Sequence, residues 1–223
     1  MGYKIKRILV GTQQVRPDTW KPWSNTVAYY PLTSKTTIYE QSWKNKPLTN
    51  TWVTFGTYKW VDCAYLDGSH FLKNETSYGL SWSFTALIWA YYVKISNVDY
   101  EQPRFYGDNN WNIWIWIEPV AIDIWYNPRW SETGQTLASD SGWKLLTVVY
   151  NWTNCKLYVN DANVDTTARS WYTYTDSKLW IGGYVPTPLY WKWGLSEFIM
   201  ENRARTAEQV AWYYNQTKSN YWL

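Results

Sequence analysis

Two neighbouring segments near the middle of the chain alternate aliphatic residues with tryptophans and polar residues. Isoleucines take positions 113, 115 and 117 of the segment 111–118, and Val120, Ile122, Ile124 and Tyr126 share one face of the segment 120–126. This period of two predicts strands with an aliphatic face toward a core and an opposite face left free. Pro119 lies between the segments, so we expect a tight hairpin. The free face would carry Asn112, Trp114, Trp116, Glu118, Asp123 and Trp125.

These six residues have the composition of a carbohydrate-binding surface. Aromatic rings offer apolar area to the C–H faces of a sugar, while carboxylates and carboxamides orient its hydroxyls. We therefore predict that they bind a ligand, and that the ligand is a carbohydrate. The alternative is that this face packs against the other sheet or against a neighbouring subunit.

A pair of carboxylates offers a different kind of chemistry. Glu197 and Glu201 would share one face of a strand, and retaining glycoside hydrolysis needs two carboxyl groups about 5–5.5 Å apart. Ile199 stands between them, where a third carboxylate would tune the pair in a glucanase. We therefore predict no catalytic residue, and interpret the two glutamates as surface carboxylates on an outer strand.

No cofactor is predicted, and calcium is the one alternative for which the sequence offers ligands. Calcium sites are built from carboxylate, carboxamide and carbonyl oxygens in loops. The candidates follow no fixed loop spacing, and they are Asp67, Asp108, Asn109 and Asp123.

The elements that would position these residues are short strands. Aromatic residues make up 21% of the chain, which favours strands, and strand-like segments recur with turn signals between them. This pattern predicts an all-β fold, a two-sheet antiparallel jelly-roll β-sandwich. The predicted strands are 26–32, 52–55, 62–66, 83–94, 104–106, 111–118, 120–126, 144–151, 156–160, 178–181 and 195–201.

One short C-terminal helix is predicted after the last strand. Thr206 and Gln209 have the spacing of a capping box, and the helix would run to about Thr217. Residues 1–24 are interpreted as an N-terminal arm or hairpin, and 25–223 as the sandwich domain.

Charge and cysteine content exclude some functions. Lys and Arg number 21 against 18 Asp and Glu, so no broad basic surface for nucleic acid is expected.

The longest apolar run is too short to span a membrane, and the N-terminus is no recognisable signal peptide. Cys63 and Cys155 could form one bridge, although two buried thiols are the favoured interpretation.

Six segments together resemble one protein family. Ordered along the chain, they are 64–69, 83–89, 143–151, 156–161, 179–183 and 195–204, and they include Lys156-Leu157-Tyr158-Val159-Asn160 and Leu179-Trp180-Ile181-Gly182-Gly183. Their order and spacing resemble the concanavalin A-like lectin/glucanase superfamily, and within it the laminin-G-like (LamG/pentraxin-type) jelly-roll domains. The resemblance implies a lectin-like binding or adhesion domain that recognises carbohydrate on a cell surface, or that belongs to a surface or virion assembly such as a tail fibre.

Two alternative functions remain open. The first is a purely structural or interaction domain of a virion or surface protein, with other subunits of that assembly as partners. The second is a laminarinase-type glycoside hydrolase. Both the lectin-like function and the structural alternative imply an extracellular, cell-surface or virion location.

The ratio of tryptophan to glycine is reversed from average usage. The chain has 20 Trp and 11 Gly. Six tryptophans stand at turns where the family uses glycine, namely Trp43, Trp52, Trp60, Trp152, Trp171 and Trp193. One hypothesis is that the native host reads a stop codon as glycine. Trp89 and Trp143 match family tryptophans, whereas Trp114, Trp116 and Trp125 could also stand for an original glycine.

Overall fold

The computed structural model describes residues 24–34, 47–66, 70–74, 76, 78–80, 83–92, 104–107, 114–117, 122–126, 129–135, 142–168, 179–182 and 194–223. Within these ranges, the structure describes only the backbone of 92, 104–107, 114–117, 122–126, 129–135 and 167–168. Residues 1–23 of the predicted arm lie outside the described residues, so the division at residue 24 stays a prediction.

The chain folds into two antiparallel sheets, and the predicted β-sandwich class is confirmed. The strands are β1 (Thr26–Tyr30), β2 (Thr49–Thr51), β3 (Thr54–Tyr58), β4 (Val61–Tyr65), β5 (Phe71–Asn74), β6 (Ser83–Tyr92), β7 (Arg104–Gly107), β8 (Trp114–Ile117), β9 (Ile122–Tyr126), β10 (Arg129–Gln135), β11 (Gly142–Asn151), β12 (Asn154–Val159), β13 (Ala162–Ala168), β14 (Leu179–Ile181) and β15 (Gly194–Glu201). The first sheet has the order β13-β12-β11-β6-β15-β4-β3, with β1 also paired to β15. The second has the order β10-β9-β8-β7-β14-β5-β2.

Alternation along the central strands separates an inner core from an outer cluster. In β6, Phe84, Ala86 and Ile88 belong to the core between the sheets, whereas Leu87 and Trp89 belong to a second cluster on the other side of the first sheet. Because successive side chains of a strand point to opposite faces, a strand that is apolar throughout is buried on both faces.

The C-terminal helix covers the outer face of the first sheet. The helix α1 (Ala207–Thr217) and the 3-10 turn η1 (Lys218–Tyr221) follow the last strand. The Tyr221 ring stacks on Trp89, with centroids 3.9 Å apart and planes 15° apart, and lies 5.4 Å from the Trp143 ring. Tyr213 of α1 is also fully buried in this cluster. We call this surface, formed by Trp89, Trp143, Tyr213 and Tyr221, the covered face.

The predicted capping box at the start of α1 is confirmed. The Gln209 backbone N–H donates to the Thr206 hydroxyl at 3.3 Å, and the Thr206 N–H donates to the Gln209 side-chain oxygen at 3.1 Å. Each bond satisfies a donor that the first turn of a helix leaves without an intrahelical partner. The helix begins and ends where the sequence predicts.

Four strands were not predicted, namely β2, β5, β10 and β13. Three of them lie at sheet edges, with β13 ending the first sheet and β2 and β10 ending the second. Edge strands have fewer buried positions, so their sequences show weak apolar alternation. The segment Ala162–Ala168 of β13, for example, is rich in threonine and has exposed residues at its start.

The favoured interpretation of the cysteines is confirmed. Both thiols are free and buried. Cys63 lies in the cluster of the covered face and Cys155 lies in the inner core. They therefore occupy opposite sides of the first sheet.

Across the ranges given above, neither α1 nor any other helix is long and apolar enough to cross a membrane.

Candidate functional site

The two strands that carry the predicted ligand-binding residues pair as an antiparallel hairpin. Strands β8 and β9 are neighbours in the second sheet, and Trp114 is paired with Trp125. Trp116 is paired with Asp123 in the same ladder. Residues directly opposite one another in an antiparallel pair lie on the same face of the sheet. The register therefore places four of the six predicted residues on one face of the hairpin.

The two flanking residues of the predicted site, Asn112 and Glu118, lie outside the described residues. Their participation in the site stays a prediction.

The same ladder continues across neighbouring strands. Trp130 of β10 is paired with Trp125, and Gly107 of β7 is paired with Trp114. Positions 114, 125 and 130 thus form a row across three adjacent strands, which we call the indole row. Arg104 of β7 is paired with Trp116, next to the position of Asp123.

The ladder also fixes which face of the second sheet carries the row. Gly107 is paired with Trp180 of β14. The neighbours of Trp180, Leu179 and Ile181, belong to the core between the sheets. Since side chains alternate along a strand, Trp180 lies on the outer face of the second sheet, and the indole row lies on that same face. The isoleucine positions of β8 and β9 lie on the core face, in agreement with the sequence pattern.

At the β14 end, the outer face of the second sheet is already packed. Trp180 is buried, and the Phe71 ring lies 5.1 Å from it. The Lys73 ammonium group lies 5.3 Å from the centre of its ring. This distance is within the range of a cation–π contact.

Two residues on this face were missed by sequence reasoning. Trp130 belongs to β10, which the sequence analysis did not predict as a strand. Arg104 lies in a predicted strand, but only the register between β7 and β8 places it opposite Trp116. The one signal in the sequence is the indole itself, because Trp130 lies in a polar segment and is followed by Ser131 and Glu132.

The interpretation of Glu197 and Glu201 as surface carboxylates on an outer strand is wrong. Strand β15 lies inside the first sheet, between β6 and β4, with β1 also alongside it. Glu197 and Glu201 are both buried. The family motifs do not reveal that β15 is an inner strand, because its partner β1 comes from a distant part of the sequence.

Glu201 is held in a buried ion pair. Arg205 donates from Nε to Oε2 at 2.9 Å and from Nη2 to Oε1 at 2.7 Å, and Arg203 Nε donates to Oε2 at 3.2 Å. The Thr85 hydroxyl accepts from the Arg205 backbone N–H at 2.9 Å and donates to the Arg203 carbonyl at 2.8 Å. This network joins the end of β15 to the start of α1, so Glu201 has a structural role.

The calcium candidates are not brought together by the described residues. Asp67, Asp108 and Asn109 lie outside them, and Asp123 is placed on β9 by its backbone. Over the described ranges, no group of three or more His, Cys, Asp or Glu side chains could hold a metal ion. Calcium binding by these four residues stays an untested alternative.

Comparison with known proteins gives structural neighbours. No family model and no curated protein matches this chain. Among solved structures, it is similar to domain 4 of AbnA, a GH43 extracellular arabinanase from Geobacillus stearothermophilus, in complex with arabinotriose. The TM-score is 0.67 at 17% identity, over 84% of this chain and 97% of the domain.

The chain is also similar to toxin binding domains. The binding domain of Paraclostridial Mosquitocidal Protein 1 has a TM-score of 0.70 at 15% identity, over 86% of this chain and 52% of that one. The botulinum neurotoxin serotype G binding domain has a TM-score of 0.69 at 14% identity, over 87% and 52%. The chain thus spans about half the length of these toxin domains. At such identities the likeness establishes the fold, a jelly-roll-like β-sandwich shared with binding domains.

Proposed function

We propose that this chain is a non-catalytic binding domain that recognises carbohydrate through the outer face of its second sheet. The observation that carries the proposal is the strand register, which aligns positions 114, 125 and 130 in one row with Trp116, Asp123 and Arg104 beside it. Asn112 and Glu118 are proposed to complete the surface.

The chemistry of this face suits a sugar. Strands in a sheet lie about 4.8 Å apart, so the three backbone positions of the indole row span roughly 10 Å across the sheet. An aromatic surface of this length can contact the C–H faces of two neighbouring sugar rings. Asp123 and Arg104 supply an acceptor and a donor for hydroxyl groups.

The similar structures support the proposal in outline. One neighbour is described in complex with arabinotriose, and others are described as binding or receptor-binding domains. A lectin-like domain related to the laminin-G-like family would have the same architecture. The burial of Glu197 and the ion pairing of Glu201 argue against the laminarinase-type alternative.

A glycan array that includes arabino-oligosaccharides tests the proposal directly. We expect the purified chain to bind at least one glycan. Trp125→Ala, at the centre of the indole row, should weaken binding about tenfold, since a nucleobase stacked on an aromatic side chain contributes about 1–3 kcal/mol and about 1.4 kcal/mol is tenfold in affinity. Trp212→Ala is the matched control, because Trp212 is an exposed indole on α1, on the outer side of the first sheet.

Two outcomes would reject the proposal. One is an array without any glycan bound. The other is a glycan that binds equally well to the wild-type chain and to Trp125→Ala. The proposal also requires tryptophan codons at positions 114, 116, 125 and 130 in the native gene.

We further propose that the domain is displayed on a cell surface or virion, where other subunits of the assembly would be its partners. Residues 1–24 are the segment proposed for docking to them. Light scattering should report an oligomer that becomes monomeric when 1–24 are deleted. A monomeric full chain would count against this part of the proposal.

A calcium-dependent rise in melting temperature would support the calcium candidates.

A further inference from the structure

In the part of the chain that the structure describes, four solvent-exposed tryptophans have a left-handed backbone. Trp52, Trp60, Trp152 and Trp222 have φ angles of 71°, 67°, 63° and 61°. A residue with a bulky side chain rarely adopts this backbone region, because its Cβ approaches the neighbouring backbone too closely. Glycine, without a Cβ, adopts it freely.

The remaining tryptophans with described side chains behave differently. Trp89, Trp143 and Trp180 are buried in strands, and Trp212 is exposed on α1. None of these has a positive φ. Exposure alone therefore does not explain the left-handed backbone of the other four residues.

Two of these four tryptophans occupy turn positions at which glycine is preferred. Lys59 and Trp60 are the two central residues of the β3–β4 hairpin, with φ angles of 46° and 67°. This is the pattern of a type I′ turn, whose second central residue is usually glycine. Trp222 is the left-handed residue that ends η1, and its N–H donates to the Lys218 carbonyl. That position is the one where helices most often end in glycine.

At Trp52 and Trp60 the indole has little packing that could offset the strain. Trp52 is 83% exposed and Trp60 is 81% exposed. A residue held in an unfavourable conformation persists when its surroundings demand it, and these indoles lie mainly in solvent. The backbone conformation is thus set by the turn, and the side chain contributes little to it.

We propose that positions 52, 60, 152 and 222 are glycine positions, and that the chain made in its native host carries glycine there because a stop codon is read as glycine. Three of these residues are among the six that sequence analysis placed at glycine turns. Trp222 was not among them, and its conformation adds an independent case. Trp43, Trp171 and Trp193 lie outside the described residues. The indoles at 52, 60, 152 and 222 then do not belong to any ligand site.

Paired substitutions test the structural part. Trp52→Gly, Trp60→Gly and Trp152→Gly should each raise the melting temperature by about 2–4 °C. Trp52→Ala, Trp60→Ala and Trp152→Ala remove the indole but keep a Cβ at positive φ, so they should raise it much less. Trp212→Gly is the control, and should lower the melting temperature because glycine disfavours a helix interior. Equal effects of Gly and Ala at the three turns would overturn the proposal.

The native gene and protein test the decoding part. We expect the codon UGA at positions 52, 60, 152 and 222, and UGG at 89, 143 and 180. Peptide mass spectrometry of the protein isolated from its source should then show glycine at the first four positions and tryptophan at the other three. UGG codons at the four turns, or tryptophan masses in their peptides, would overturn the proposal.

Discussion

The outer faces of the two sheets both carry aromatic residues, but the C-terminal helix packs on the first sheet. On the first sheet, α1 and η1 lie over the covered face, and Tyr221 stacks on Trp89. On the second sheet, register places the indole row on the outer face, and Trp180 at the β14 end is buried against Phe71. The two faces have similar compositions, so aromatic alternation on its own does not distinguish a core surface from a binding surface.

What separates the two faces is the part of the chain that covers them. The covered face is an extension of the core, because the last 17 residues, from Ala207 to Leu223, include the segments packed on it. The indole row is proposed to remain open to a ligand. Substitutions on the first face should therefore change stability, and substitutions on the second should change binding.

The largest effect is expected on the covered face. Trp89→Ala removes a fully buried indole that stacks on Tyr221. We expect it to lower the free energy of unfolding by about 3–5 kcal/mol, measured by urea denaturation. Trp212→Ala, on the exposed side of α1, should change it by less than about 0.5 kcal/mol. A small effect of Trp89→Ala would mean that the helix does not seal this face.

The buried ion pair comes next, because it fastens α1 to β15. Glu201→Gln would leave the Arg205 guanidinium buried without its counter-charge. We expect a loss of about 3 kcal/mol in the free energy of unfolding. Glu208→Gln, on the exposed first turn of α1, should leave the melting temperature nearly unchanged. Similar melting temperatures for the two variants would contradict a structural role for Glu201.

Alkaline pH should loosen the covered face through Cys63. Burial raises the pKa of this thiol from 9.0 to about 12, with a smaller contribution from Asp62. Between these pH values the unfolded chain loses the proton first, so stability falls as pH rises. At pH 10 we expect this thiol to cost on the order of 1 kcal/mol relative to pH 8. The pH dependence of Cys63→Ala should lack that component, and identical profiles would refute the prediction.

Loss of the capping box should have a smaller effect on the same face. Thr206→Ala removes the acceptor for the Gln209 N–H and should cost about 1 kcal/mol. Thr206→Ser keeps the hydroxyl and should retain most of the stability. Thermal denaturation of the two variants distinguishes the cap from the loss of a methyl group, and equal losses would show that the hydroxyl is unimportant.

The smallest change in stability is expected on the indole row. If this face is open, the double variant Trp114→Ala, Trp125→Ala should unfold within about 0.5 kcal/mol of the wild-type chain. It should nevertheless lose glycan binding. A loss of several kcal/mol would show that the row is packed like the covered face.

Sequence alone was sufficient where the apolar pattern is strong. Five of the six motif segments form the contiguous strands β12, β11, β6, β15 and β4 of the first sheet. Strand-like segments between turn signals predicted β6 and β11, and Thr206 with Gln209 predicted the start of α1. These features depend on residues close together in the chain, so their spacing is visible in the sequence.

Tertiary structure decided which positions face each other. The pairing of β1 with β15 and the ion pair of Glu201 buried a strand that sequence reasoning placed at the surface. The register of β10 and β7 added Trp130 and Arg104 to the proposed site. The chain's length and its alternation determine strands and their apolar sides. Burial and register depend on contacts between segments far apart in sequence, and only folding brings those segments together.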